Sequence, residues 1–213
     1  MITAIILAAG TSSRMGEAKP LLRISGKPLL RLVLESAQRS NAGHVVVVLG
    51  AEANRIRREV AMPGATVVVN SDYAAGMSTS LRAGLRSAPP ESRGYLIALG
   101  DQPFVSSSTI DVLIERHSAS GGKILIPTYH GRRGNPVLID RTLARELEDV
   151  RGDVGCRALF RPHAKDLVDV PVDDPGILLD IDTAEHLALA REAVESGAPL
   201  ESLVGKISDR SPA

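Results

Sequence analysis

One cysteine, Cys156, is all that the 213 residues contain. No disulfide can form within the chain, and no cysteine cluster can bind a metal. The five histidines are scattered, with no HxH or HxxxH pair to seat zinc. Neither sign of charge is in excess, with 25 Lys plus Arg against 25 Asp plus Glu. That balance removes the electrostatic case for a nucleic-acid or membrane-surface protein. A small anionic substrate remains open, because a phosphate cradle needs only about two or three local cations. No apolar stretch approaches the ~20 residues that cross a bilayer. The N-terminal run to Gly10 is apolar, short and without a basic leader, so it reads as a buried strand rather than a signal peptide. The cytoplasm is the expected compartment. Internal repeats are missing too, as are a Walker A loop ending in Gly-Lys-Ser/Thr and a G-x-G-x-x-G fingerprint.

What is present is an alternation. Short apolar, β-branched runs recur at 3–7, 45–49, 66–69, 95–99, 124–126, 137–139 and 167–172. Between them, apolar residues recur at helical spacing: Leu29, Leu32 and Val33 with Ser36; Ile110, Leu113 and Ile114 with His117; and Leu187, Ala190 and Val194. Strands apolar almost throughout, separated by helices, predict a mostly parallel sheet covered on both faces. The expected fold is therefore α/β, a Rossmann-like three-layer sandwich. One domain is expected over 1–196. The stretch 197–213, rich in Gly, Ser, Pro and charge, is expected to be a flexible tail.

The stretch from Leu7 to Pro20 follows the first strand, at the sheet edge where ligands bind. Ala8, Ala9 and Gly10 have little or no side chain, so a nucleotide can approach the backbone after Leu7. Thr11, Ser12 and Ser13 bring N–H and O–H donors suited to phosphate. Arg14 and Lys19 add a flat guanidinium fork and a point charge. A plain polar strand-to-helix loop is the competing reading.

Asp101 ends the apolar strand at 95–99, after Gly100 and before Gln102 and Pro103. A carboxylate at the end of a buried strand calls for a cation. Mg²⁺ takes few protein carboxylates and completes its shell with water and phosphate oxygens. A cap on the next helix is the other use, but Ser106 to Ser108 offer a better one. Asp180 and Asp182 flank Ile181. If extended, they share one face, and one of them can complete the metal site while Thr183 caps the last helix. Asp173-Asp174-Pro175 reads as a turn without chemistry.

Two further segments look like pocket walls. The stretch from Asn70 to Leu81 is a turn-rich loop entering a helix. Gly76, Ser78 and Ser80 suit the edge of a base or an anion, with N-capping by Ser78 as the plain reading. Arg132-Arg133-Gly134-Asn135 forms a basic turn, either an anion site or a solvated hairpin. Cys156 reads as a small packing residue, since no base stands near it in sequence.

Leu7-Ala8-Ala9-Gly10, Ser12, Arg14-Met15-Gly16 and Lys19 together resemble the signature loop of the MobA-like nucleotidyltransferases. The nearest branch is the molybdenum cofactor cytidylyltransferases (MocA). Gly100-Asp101-Gln102-Pro103, Asp180-Ile181-Asp182-Thr183, the loop from Asn70 to Leu81, Arg133 to Pro136 and Gly152 to Arg157 follow in the family's order. The resemblance implies phosphate contacts from Gly10, Ser12, Arg14 and Lys19, and Mg²⁺ on Asp101 with an acid of the 180–182 motif. It implies a base site at Gly76, Ser78 and Ser80, and an acceptor side at Gln102, Arg133, Asn135 and Arg157. It implies Arg14, Lys19 and Asp101 as the catalytic set. Ala9, where the guanylyl branch has Gly, favours CTP. The implied reaction moves CMP from CTP to molybdenum cofactor, making a cytosine dinucleotide and releasing pyrophosphate. A molybdoenzyme maturation chaperone or a molybdenum hydroxylase is the implied partner. Three other outcomes stay open: a related transferase using GTP or a sugar phosphate or phospholactate acceptor, a recruited NAD(P)H-dependent oxidoreductase, and a non-catalytic cofactor carrier.

Overall fold

The computed structural model describes residues 1–11 and 16–207. Ser12 and Arg14, both expected at the phosphates, lie outside the described residues. Ten strands are present among those described: β1 (Ile2–Ala8), β2 (Arg23–Ile24), β3 (Lys27–Pro28), β4 (His44–Leu49), β5 (Thr66–Val69), β6 (Gly94–Leu99), β7 (Ile124–Tyr129), β8 (Arg132–Arg133), β9 (Val137–Asp140) and β10 (Leu167–Pro171). The α-helices are α1 (Leu29–Arg39), α2 (Ala53–Glu59), α3 (Met77–Arg86), α4 (Ser107–Ser120), α5 (Ala144–Asp149) and α6 (Ala184–Ser196). None of the described helices is long and apolar enough to cross a membrane.

The main sheet runs β10-β7-β9-β6-β1-β4-β5, with β8 paired to β7. All pairings are parallel except those made by β9 and β8. From β1 the chain builds outward to β4 and β5, then returns to lay β6 on the other side of β1. The order of strands thus reverses between β1 and β6, which opens a crevice at their C-terminal ends. The expected Rossmann-like three-layer sandwich is the observed fold.

Both faces of the sheet are covered, which is why the central strands read as unbroken apolar runs. Ile2, Ala4 and Ile6 of β1 and Val45, Val47 and Leu49 of β4 pack with Leu30, Val33 and Leu34 of α1, Ile56 of α2 and Leu113 of α4. The opposite side chains, Ile5, Val46 and Val48, pack with Leu81 and Leu85 of α3 and Leu147 of α5. The alternation along each strand divides the two layers.

The C-terminal stretch corrects one expectation. It does not come loose after α6. Gly197 ends that helix in the left-handed conformation, and a 3₁₀ turn follows at Leu200–Leu203. Leu203 and Ile207 are buried against Leu187, Ala190 and Ala193 of α6. The flexible-tail reading fails through Ile207 because these two apolar side chains find a partner face that composition does not reveal. Residues 208–213 lie outside the described residues.

Candidate active site

The crevice between β1 and β6 is shaped by backbone. The N–H of Gly100 donates to the carbonyl of Leu7 (2.9 Å), tying the turn after β6 to the end of β1. The N–H of Ile181 donates to the carbonyl of Asp101 (2.9 Å), and Ile181 itself is fully buried. So a segment some eighty positions downstream is stitched directly under the Asp101 turn. Thr183 then caps α6 by accepting from the N–H of His186 at 3.1 Å, as its position predicts.

These ties bring three charged side chains together. The Lys19 ammonium lies 3.0 Å from Asp101 Oδ2 and 2.5 Å from Asp182 Oδ1. Lys19 heads a short 3₁₀ turn, Lys19–Leu21, whose Pro20 and Leu21 are buried. Its side chain is only 16% exposed, against 24% and 28% for the two acids, so solvent screens the group weakly. Burial alone would lower the Lys19 pKa, but the charges and hydrogen bonds of Asp101 and Asp182 outweigh it and leave it raised.

Asp180 has no salt bridge to Lys19 among the described contacts, though it lies within reach of the charges of all three groups. The N–H of Asp182 donates back to the carbonyl of Asp180 (3.1 Å), so the chain turns here. The extended geometry that would put both acids on one face is not the one observed. Burial, then the charges of Asp101 and Asp182, push the Asp180 carboxyl up to about 7, with Lys19 and the Gln102 amide opposing. Among the described residues, no group of three or more His, Cys, Asp or Glu is gathered to hold a metal ion. The expected trio of Asp101, Asp180 and Asp182 is therefore not a preformed cage. Two carboxylates with only oxygen donors still fit a hard divalent ion such as Mg²⁺, which takes one or two carboxylates and keeps its waters.

A cavity of about 350 Å³ opens beside this cluster. Of the residues expected at the nucleotide, Leu7, Ala9, Gly10, Gly76 and Ser80 line it, together with Asp101. Ala8 and Lys19 line a neighbouring recess of about 90 Å³ that shares Leu7, Gly10 and Asp101. Ser78 is in neither wall. It is buried, and its N–H donates to the carbonyl of Gly152 (3.0 Å). Nor does Ser78 cap α3, whose N-cap is Gly76. Asn70 fixes this loop by donating to Thr79 Oγ1 (2.8 Å) and Ser80 Oγ (3.0 Å).

Tyr73, Ala74, Met77, Leu99 and Asp153 also line the wall without having been assigned to the site from sequence. Tyr73 carries no signal beyond its place in the loop. Asp153 lies in a recognised segment, but its contact is long-range: its Oδ1 accepts from the N–H of Met77 at 2.9 Å. With Gly152, it satisfies the first N–H groups of α3, which would otherwise be orphaned. This clasp needs Gly76. Its φ is +106°, and a Cβ there would stand 2.9 Å from Asp153 Oδ1 and from the Gly152 backbone. Gly76→Ala is expected to cost about 1–3 kcal/mol in urea denaturation. An unchanged midpoint would mean that the clasp carries no weight.

Gln102, Arg133, Asn135 and Arg157, the expected acceptor residues, line one further cavity of about 110 Å³, and Asp180 joins them there. Gln102 is buried, and its Oε1 has no hydrogen-bond partner among the described residues. Arg133 is already committed. Its guanidinium grips Asp169 through two hydrogen bonds (2.7 and 3.0 Å), and β8 pairs with β7 as a hairpin with exposed arginines. A second cleft, about 180 Å³ and lined by Asn135, Cys156 and Arg157 among others, connects this side to Met77 and Asp153. Burial pushes the Cys156 thiol up to about 11, which leaves it a packing group rather than a nucleophile.

The family model for the MobA-like NTP transferase domain matches residues 4–168. Nicotine blue oxidoreductase of Paenarthrobacter nicotinovorans is 33% identical over 87% of this chain and 94% of its own length. The molybdenum cofactor cytidylyltransferase of Escherichia coli K12 is 26% identical over 90% of this chain and 96% of its own length. Among solved structures, Rv0371c of Mycobacterium tuberculosis H37Rv superposes with a TM-score of 0.81 at 30% identity, covering 90% of this chain and 97% of that one. Rv0371c is also known in complex with manganese. With its crevice at the β1–β6 reversal and the family model spanning β1 to the start of β10, this chain belongs to the MobA-like NTP transferase domain family.

Proposed function

We propose that this chain is a divalent-metal-dependent nucleotidyltransferase that moves CMP from CTP to the phosphate of molybdenum cofactor, releasing pyrophosphate. The observation that carries this reading is the Lys19–Asp101–Asp182 cluster, set where the small-residue edge of β1 leaves room for a nucleotide. Similarity to the Escherichia coli cytidylyltransferase over nearly the full length of both chains supports the acceptor. Asp101 and Asp182 would hold Mg²⁺, the ion that supplies charge neutralisation on the phosphates when bound. Lys19, with Arg14, would steady the charge that grows on the departing pyrophosphate. Leu7 to Gly10, Gly76 and Ser80 would orient the nucleoside. Gln102, Asn135 and Arg157 would orient the acceptor so that its phosphate oxygen attacks the α-phosphorus in line. No protein nucleophile is required, which agrees with a buried, un-ionised Cys156. A maturation chaperone or a molybdenum hydroxylase would receive the product.

A second reading is favoured by the similarity to nicotine blue oxidoreductase: the same crevice would then hold a reducible substrate and a nicotinamide donor. The sequence carries no G-x-G-x-x-G to hold one. One experiment separates the two. Pyrophosphate release is measured with each of the four triphosphates, with Mg²⁺, and with or without molybdenum cofactor; NAD(P)H binding is measured alongside. Release with CTP only when the cofactor is added is the expected result. Release with GTP, or only with another phosphorylated acceptor, moves the reading within the family. NAD(P)H binding without any release overturns it.

A further inference from the structure

Asp153 stands where two cavities meet. The recess that holds Lys19 shares Leu7, Gly10 and Asp101 with the 350 Å³ cavity. That cavity shares Met77, Leu99 and Asp153 with the 180 Å³ cleft on its other side. Lys19 and Asp153 therefore mark opposite ends of one groove. The acid is gripped at two points. Its Oδ1 accepts from the N–H of Met77 (2.9 Å), and the carbonyl of Gly152 beside it accepts from the N–H of Ser78 (3.0 Å). Gly76 closes in behind, since a Cβ there would stand 2.9 Å from Asp153 Oδ1. Capping α3 uses only one carboxylate oxygen. Among the described residues, no hydrogen bond or ion pair engages Oδ2. So a fixed carboxylate with one uncommitted oxygen forms part of the wall of the nucleotide cavity.

We propose that Asp153 is a specificity-determining residue of the crevice: its uncommitted oxygen accepts a hydrogen bond from a ribose hydroxyl, so that ribonucleoside triphosphates are taken in preference to deoxy ones. This rests on the nucleotidyltransferase reading, which puts the phosphates at the Gly10 and Lys19 end. The physical reason is charge. A carboxylate repels phosphate oxygens and attracts hydrogen-bond donors. At its end of the cavity it therefore meets the nucleoside and not the triphosphate. The ribose hydroxyls are the donors that every ribonucleotide carries, and a carboxylate beside a nucleotide cleft is suited to them. Asp153 is exposed, so water competes for Oδ2 until a bound nucleoside covers it. The contact then becomes a charge-assisted hydrogen bond shielded from solvent. A deoxy analogue covers the same oxygen and gives it no donor, so it loses the bond and leaves the charge poorly solvated.

The test is titration calorimetry of the full chain with CTP, 2′-deoxy-CTP and 3′-deoxy-CTP, each with Mg²⁺ and without acceptor. The wild-type chain is expected to bind CTP about tenfold more tightly than at least one of the deoxy analogues, and the analogue that loses affinity identifies the hydroxyl. In Asp153→Ala that preference is expected to vanish, with CTP falling to the level of the analogue. Asp153→Asn keeps an oxygen for the Met77 N–H and removes the charge. It is expected to keep the urea midpoint and lose most of the preference, and it serves as the second variant should Asp153→Ala fail to fold. Equal binding of all three nucleotides by the wild-type chain overturns the proposal. So does a variant in which all three weaken alike with their ratio intact, because that is the mark of a helix cap and nothing more. Failure here is distinct from failure of the proposed activity. Equal pyrophosphate release from CTP and both analogues overturns the ribose contact and leaves the transferase standing. A chain that prefers CTP to its deoxy analogues but releases no pyrophosphate with any acceptor keeps the contact and ends the transferase reading.

Discussion

Asp101→Ala is expected to lower pyrophosphate release by about 10²–10³-fold while the fold persists. Asp101 is the point at which the crevice's parts meet. Its carboxylate engages Lys19, its backbone carbonyl accepts from Ile181, and it lines both the 350 Å³ cavity and the recess beside it. Only the first and last of these belong to the side chain. The substitution therefore removes the charge and keeps the backbone tie that positions Asp182. Steady-state pyrophosphate release at saturating CTP and acceptor measures the loss, and urea denaturation shows that the chain still folds. Asp182→Ala removes the other carboxylate from the same ammonium and is expected to fall in the same range. Near-full turnover in Asp101→Ala would show that the chemistry, if any, lies elsewhere in the crevice.

Asp174→Ala is expected to produce the largest loss of stability, about 3 kcal/mol, with the crevice residues untouched. Asp174 is 7% exposed, and among the described residues no cation forms a salt bridge with its carboxylate. Hydrogen bonds hold it instead. Oδ2 accepts from the N–H and the hydroxyl of Ser106 (both 2.9 Å) and from the Thr109 hydroxyl (2.6 Å), while Oδ1 accepts from the N–H of Gly176 (2.9 Å). Through these bonds one side chain holds the start of α4 and the 3₁₀ turn that leads to Asp180. Bonds to a charged acceptor contribute more than neutral ones, and each buried donor left without a partner carries a desolvation cost. The midpoint of urea unfolding reads the loss. For a domain with a total stability of about 5–15 kcal/mol, it is a large share. A midpoint within experimental scatter of the wild type would mean that water replaces the carboxylate without penalty.

The sequence reading treated Asp174 as part of a chemically silent turn, and the reason for the miss is general. Its partners Ser106 and Thr109 lie 68 and 65 residues away, and no local pattern encodes that distance. α2 and α5 were missed for a related reason. At seven and six residues they are too short to display a helical period. The N-capping alternative for Ser78 is not the one observed, because a helix start can be capped from outside: Asp153 reaches the N–H of Met77 from 76 positions downstream.

By itself, the sequence determined what depends on local pattern. Runs apolar on both faces became the inner strands of a parallel sheet. Gly10 and Asp101 were placed at strand ends, where the fold opens. Ser106 and Thr183 were readable as caps because a cap is a contact of three residues' span. Only the tertiary structure decided which acid joins Asp101. Asp180 and Asp182 are equivalent in sequence, but the backbone turn between them sends Asp182 to Lys19 and leaves Asp180 on the side of Gln102 and Arg157. It also decided that Lys19, read as a phosphate ligand, rests between two carboxylates. The charge that a side chain meets is set by segments brought together across more than a hundred residues, and spacing along the chain carries no record of it.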